Sequence, residues 1–120
     1  MTRHRVFVYG TLRVGQPNHP HLAGAEVVGP VRTDLGFRLY DLGAFPGMVA
    51  VGTGRVIGEL VLVDDQVRAR IDALEGHPRF YRRTPIRLDD GSAVEAYLLP
   101  TSAVVGRPIV HAGDWCQRRR

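Results

Sequence analysis

Two places in the sequence combine residue types that could do chemistry. The first is Tyr9-Gly10-Thr11-Leu12-Arg13, which ends a β-forming run, Val6–Tyr9, and opens a loop rich in Gly, Pro and His. A hairpin needs only about two to five connecting residues, yet about ten or more pass here before apolar residues regain a pattern, and loops of that length are usually functional or disordered. Glycine at the end of a strand lets the backbone turn so that successive amides converge on an anion or a carbonyl oxygen. The alternative is a tight turn that needs Gly10 for geometry alone. No Gly-Lys-Ser/Thr follows, and the glycine spacing is not that of a dinucleotide fingerprint. A small carboxylate or an oxyanion therefore suits these amides better than a polyphosphate.

The second place is Glu75. It closes a helical segment, where the macrodipole disfavours a carboxylate by up to about 1 kcal/mol, and it adjoins the apolar seam of Ile71 and Leu74. Burial there would push its pKa up, which is the tuning a general base near neutral pH requires. The competing reading is an exposed glutamate paired with Arg79 or Arg82. His77 could modulate Glu75 or simply complement the helix end. Tyr81 could present a phenol to a ligand or pack as a core ring. His19 and His21 lack a carboxylate or cysteine at ligand spacing, so no metal site is expected, and Asn18 and His19 read as holding the loop's own backbone. Ser92 and Ser102 lack a nucleophile-elbow context.

The elements that must position these residues are mostly short strands. Arg5–Tyr9, Ala25–Thr33, Phe37–Asp41, Met48–Val51 and Arg55–Val63 read as strands, with Phe45-Pro46-Gly47 breaking the chain before Met48. One helical turn is expected at about 19–23. The one clear helix follows Asp64, a well-placed N-cap, and runs through DQVRARIDALEG, with Val67, Ile71 and Leu74 on one face. Gly76 and Pro78 stop it. Phe80–Leu88 and Ser92–Leu99 flank Asp89-Asp90-Gly91, a hairpin signal. Many strands and one helix predict an α+β fold with a closed or strongly curved sheet.

The 120 residues, 44% hydrophobic and 23% charged, read as one globular domain spanning 1–120, with about 112–120 as a C-terminal tail. Trp115 is expected to pack that segment back, and the arginines 118–120 to form a solvated end. No apolar run approaches a membrane span, and the start of the sequence lacks a signal-peptide pattern, so a soluble cytoplasmic protein is expected. A single cysteine, Cys116, excludes an internal disulfide. All sixteen basic residues are arginine, giving a formal charge of +4, but they are too scattered to predict a nucleic-acid surface. The oligomeric state is not legible.

VYGTLRVGQPNH, then LEGHPRFYRR well downstream and a closing GDW, together resemble the gamma-glutamylcyclotransferase-like family. The opening motif is most similar to gamma-glutamylamine cyclotransferases. The resemblance runs from Val6 to Trp115 and implies a small mixed β-barrel with one main helix packed on it. It implies that the amides of Tyr9, Gly10, Thr11 and Leu12 hold a gamma-glutamyl group, that Glu75 is the catalytic acid/base, and that Phe45, Pro46 and Tyr81 line the substrate pocket. The activity implied is intramolecular acyl transfer. The α-amine of a gamma-glutamyl amine or amino acid attacks its own γ-carbonyl, giving 5-oxoproline and a free amine with no metal or organic cofactor. A non-catalytic binder of small carboxylates on the same fold is the alternative, and the retained carboxyl at Glu75 counts against it.

Overall fold

A computed structural model of the chain describes residues 2–118. Seven strands, β1 (Arg3–Val8), β2 (Glu26–Arg32), β3 (Phe37–Asp41), β4 (Pro46–Gly54), β5 (Ile57–Asp64), β6 (Arg82–Arg87) and β7 (Ala93–Leu98), form one mixed sheet with one main helix, α1 (Asp65–Glu75). The strand order is β2-β5-β1-β7-β4-β3, with β6 paired to β7 off this path. β1 lies antiparallel to β5 and parallel to β7. Because β2 and β3 stand at opposite ends of the order, the sheet is not closed, and "barrel" describes it only loosely. The fold class is nevertheless the α+β arrangement expected.

Period-two alternation along β1 divides the core. Val6 and Val8 join Val61, Val63, Val67 and Ile71 on the side that α1 covers, whereas Phe7 and Tyr9 join Leu60, Leu98 and Trp115 on the other. The helix starts as its sequence dictates. Asp64 stays extended and its side chain accepts from the Val67 amide at 2.8 Å, satisfying one of the amides left open in the first turn. Val67 and Ile71 bury the inner face, while Leu74 remains partly exposed.

Several local expectations differ. Phe45-Pro46-Gly47 does not interrupt the chain: the β3–β4 turn is closed by the Leu42 amide bonding the Phe45 carbonyl at 3.0 Å, and Pro46 is the first residue of β4. The first position of a strand tolerates proline's missing donor. The C-terminal segment is packed back by Trp115, which is 1% exposed, as its indole led one to expect. Arg118 is not a loose end, because its guanidinium carbon sits 3.4 Å from the Trp115 ring centroid. Arg119 and Arg120 lie outside the described residues. Among those described, no helix is long and apolar enough to cross a membrane.

Candidate active site

The end of β1, the loop after it, the start of β4 and the end of α1 enclose a cavity of about 430 Å³. The residues named for catalysis and substrate binding reach it, Tyr9, Gly10, Thr11 and Leu12 from the loop, Phe45 and Pro46 from the β3–β4 turn, and Glu75 and Tyr81 from the helix end and the chain beyond it, whereas His77 does not line it. Leu74, Phe80, Asn18 and Tyr97 also line it, and the sequence reading did not name them as pocket residues. Tyr97 was hidden because β7 reads as an ordinary core strand. Phe80 and Leu74, 48% and 38% exposed, had only their proximity to Glu75 as a signal.

Glu75 is presented by the way α1 stops. Gly76 adopts the left-handed conformation, φ 67° and ψ 34°, which ends the helix. The chain then doubles back, so that the amides of Phe80 and Tyr81 bond the carbonyls of Gly76 and Glu75 at 2.8 and 3.3 Å. His77 helps to fix this turn, accepting from the Arg83 amide at its Nδ1 (2.9 Å). The Glu75 side chain has no ionic partner within reach among the described residues, so the pair with Arg79 or Arg82 does not form. Burial alone pushes its carboxyl up to about 7.

The opposite wall is the loop. Its Gly10 does not have a positive φ. Glycine is required because a Cβ at this position would lie 2.5 Å from Cγ of Pro46. The loop thus packs directly on β4. Asn18 Nδ2 donates to Thr11 Oγ1 at 2.9 Å, the Asn18 amide bonds the Thr11 carbonyl at 2.8 Å, and His19 Nδ1 lies 3.0 Å from the Leu12 carbonyl. These contacts hold the backbone as Asn18 and His19 were expected to do. The amides of Gly10, Thr11 and Leu12 find no acceptor among the described residues. Three open donors in residues that line the cavity are what an anion or a developing oxyanion needs.

The tyrosines shape the site without ionising. Tyr81 Oη donates to the Pro46 carbonyl at 2.5 Å, and Tyr9 Oη donates to the Tyr97 carbonyl at 2.6 Å while accepting from the Met48 amide at 3.2 Å. Burial drives both phenols well above the usual tyrosine range, Tyr81 further through the nearby Glu75. They therefore stay neutral and tie the cavity wall to β4 and β7.

Arg13 is a further residue whose importance the sequence did not reveal. Its buried guanidinium donates from Nε to Glu59 Oε2 and from Nη1 to Asp114 Oδ1, both at 2.7 Å, while the Val14 amide donates to Glu59 Oε1 at 2.8 Å. The single guanidinium is shared between two carboxylates through charge-assisted bonds, so the loop is held to β5 and to the C-terminal segment together. The opening YGTLR and the closing GDW therefore meet physically.

The comparisons with known proteins agree with one another. The family "Gamma-glutamyl cyclotransferase, AIG2-like" matches residues 6–117. A Vibrio cholerae protein provisionally named a gamma-glutamylcyclotransferase is 42% identical over 116 residues, covering 97% of this chain and 98% of that one. The gamma-glutamylcyclotransferase family protein YtfP of Escherichia coli K12 is 37% identical, covering 95% and 97%. Among solved structures, the uropathogenic E. coli protein c4763 superposes with a TM-score of 0.84 at 30% identity, covering 96% of this chain and 94% of that one.

Proposed function

The chain belongs to the gamma-glutamyl cyclotransferase, AIG2-like family, and from that membership we propose that it converts a gamma-glutamyl amine or amino acid into 5-oxoproline and the free amine. The observation that carries this reading is an unpaired carboxyl, Glu75, raised to about 7 in the same cavity as the open amides of Gly10, Thr11 and Leu12. In the proposed reaction the γ-carbonyl oxygen faces those amides, and the glutamyl chain packs between Tyr9, Phe45, Pro46 and Tyr81. Glu75 removes a proton from the substrate's α-ammonium. The substrate's α-ammonium stands beside its own free α-carboxylate and is therefore less acidic than a chain-terminal ammonium, which titrates at about 8; transfer to a carboxyl of about 7 is uphill, but far less so than transfer to an ordinary glutamate near 4.5.

The freed amine attacks the γ-carbon. The new C–N bond closes a five-membered ring, and the loop amides stabilise the oxyanion, a contribution worth about 3 kcal/mol for a single donor in other enzymes. As the tetrahedral intermediate collapses, the bond from the γ-carbon to the leaving nitrogen breaks and Glu75 returns its proton to that nitrogen. No water is consumed. Folding the substrate so that its own amine meets its own carbonyl supplies several kcal/mol of the barrier.

The test is mass-spectrometric detection of 5-oxoproline from a panel of gamma-glutamyl amines and dipeptides. Wild type is expected to form product, and Glu75→Gln, which keeps shape but cannot accept the proton, is expected to fold and lose turnover. Full activity in the Gln variant would remove Glu75 from its assigned role.

A further inference from the structure

A second cavity, of about 480 Å³, lies against the first, and the two share Thr11, Pro17 and Ala44 as walls. A substrate held with its glutamyl part between Glu75 and the loop amides meets this annex where it passes over those residues. The annex differs in chemistry from the main cavity. Its walls include Gln16, Asp41, Trp115 and Arg118. Arg118 is held there in a fixed pose: its guanidinium carbon lies 3.4 Å from the Trp115 ring centroid, and its Nη1 donates to the Trp115 carbonyl at 2.8 Å. Stacking and a single backbone bond immobilise the group while leaving further N–H donors unassigned.

Among the described residues no carboxylate lies within 4.0 Å of the Arg118 guanidinium. This contrasts with Arg13, which is neutralised twice, by Glu59 and Asp114. Asp41 faces the same annex, and its Oδ1 is already bonded by the Gly43 amide at 2.7 Å. A positioned but uncompensated guanidinium fits a carboxylate, for which its planar donor fork is matched.

Resting on the cyclotransferase reading, we propose that the annex is the leaving-group subsite and that Arg118 selects gamma-glutamyl conjugates whose leaving amine carries a carboxylate, as amino acids do, over those of neutral amines. Thr11 stands at the junction, contributing to both cavities. Asp41 sets the limit of the preference, since its charge opposes a second anion in the annex.

The experiment compares gamma-glutamyl conjugates of glycine, β-alanine and 4-aminobutyrate with those of the corresponding primary amides, so that length varies at two charges. Wild type is expected to favour the carboxylate of the best-fitting length by about tenfold in kcat/KM, through KM, as suits one charge-assisted contact in a partly exposed site. Arg118→Gln should bring the ratio close to one by raising KM for the carboxylate series. Arg118→Lys should keep part of the preference, and Asp41→Asn should raise it. Equal use of both series by wild type and Arg118→Gln would overturn the subsite and leave the cyclotransferase reading standing.

A second readout does not depend on turnover. Trp115 is the only tryptophan, and it lies under the Arg118 guanidinium. Titration with free 4-aminobutyrate and β-alanine should change its fluorescence saturably in wild type and not in Arg118→Gln. If no conjugate is turned over, a saturable change still supports the carboxylate site, and its absence sinks it.

Discussion

At the scale of the residue, the proposed reaction rests on Glu75. Burial pushes its carboxyl up to about 7, and no cation among the described residues offsets that. The acid limb of kcat/KM against pH should therefore rise through about 7, well above the ordinary glutamate range near 4.5, and a limb centred near 4.5 would contradict the assignment. The same shift couples to stability. The folded state holds a proton that the unfolded state has released between about pH 4.5 and 7, so the stabilisation is complete below that window and is lost as pH rises through it. Allowing for partial exposure, the loss is on the order of 2 kcal/mol. Glu75→Gln should flatten this dependence and be the more stable protein above pH 7, as urea denaturation from pH 4 to pH 8 would show; a difference that did not vary with pH would count against the buried carboxyl. Glu75 stood out in the sequence as an unfavourable choice at a helix C-terminus beside apolar residues, but an exposed glutamate paired with an arginine explained that pattern as well, and it was the resemblance that singled it out. Arg13 did not stand out, because its partners Glu59 and Asp114 are 46 and 101 residues away and nothing local announces them.

At the scale of the element, what could be read was what short-range physics controls. α1 begins at Asp64 and stops at Gly76 because capping is a matter of three or four adjacent residues. The Pro46 misreading has the opposite origin: proline breaks strands in general, yet the first place of β4 needs no donor, and only the pairing of β3 with β4 reveals which place Pro46 occupies. Gly10 teaches a similar lesson. Its backbone is one that other residues could adopt, and the demand for glycine comes from a proline 36 positions further along the chain. Gly10→Ala should force Pro46 away from the loop, costing about 1–3 kcal/mol and reducing turnover together. Thermal unfolding and 5-oxoproline release measure the two effects. Unchanged turnover in this variant would show that the loop can shift without disturbing the reaction.

At the scale of the whole molecule, one main cavity gathers the end of β1, the β3–β4 turn and the helix terminus, and a buried cluster of three charges, Arg13, Glu59 and Asp114, stands behind its loop. Removing the one cation of this cluster is more damaging than removing it together with a carboxylate, because its loss alone leaves both anions buried without a counter-charge. Arg13→Met should destabilise by about 3 kcal/mol, and adding Glu59→Met should recover part of that loss, which a double-mutant cycle by urea denaturation would measure. Strict additivity would show that the two residues do not share one interaction. The sheet order itself was beyond the sequence reading, since β1 sits between β5 and β7, strands that lie far from it along the chain. Alternation in β1 foretold that it would be buried, not which neighbours would bury it.

The contact between Arg13 and Asp114 also sets a timetable. A ribosome adds roughly 5–20 residues each second. The loop that opens near residue 10 therefore waits several seconds before the carboxylate that anchors it has even been made. Throughout that interval Arg13 has neither Asp114 nor a folded sheet to receive it, and Trp115 has not arrived to fill the core behind Phe7 and Tyr9. An emerging chain would hold the first motif of the site long before it could act. Competence should appear abruptly, when the last motif leaves the exit tunnel, rather than in proportion to the length synthesised.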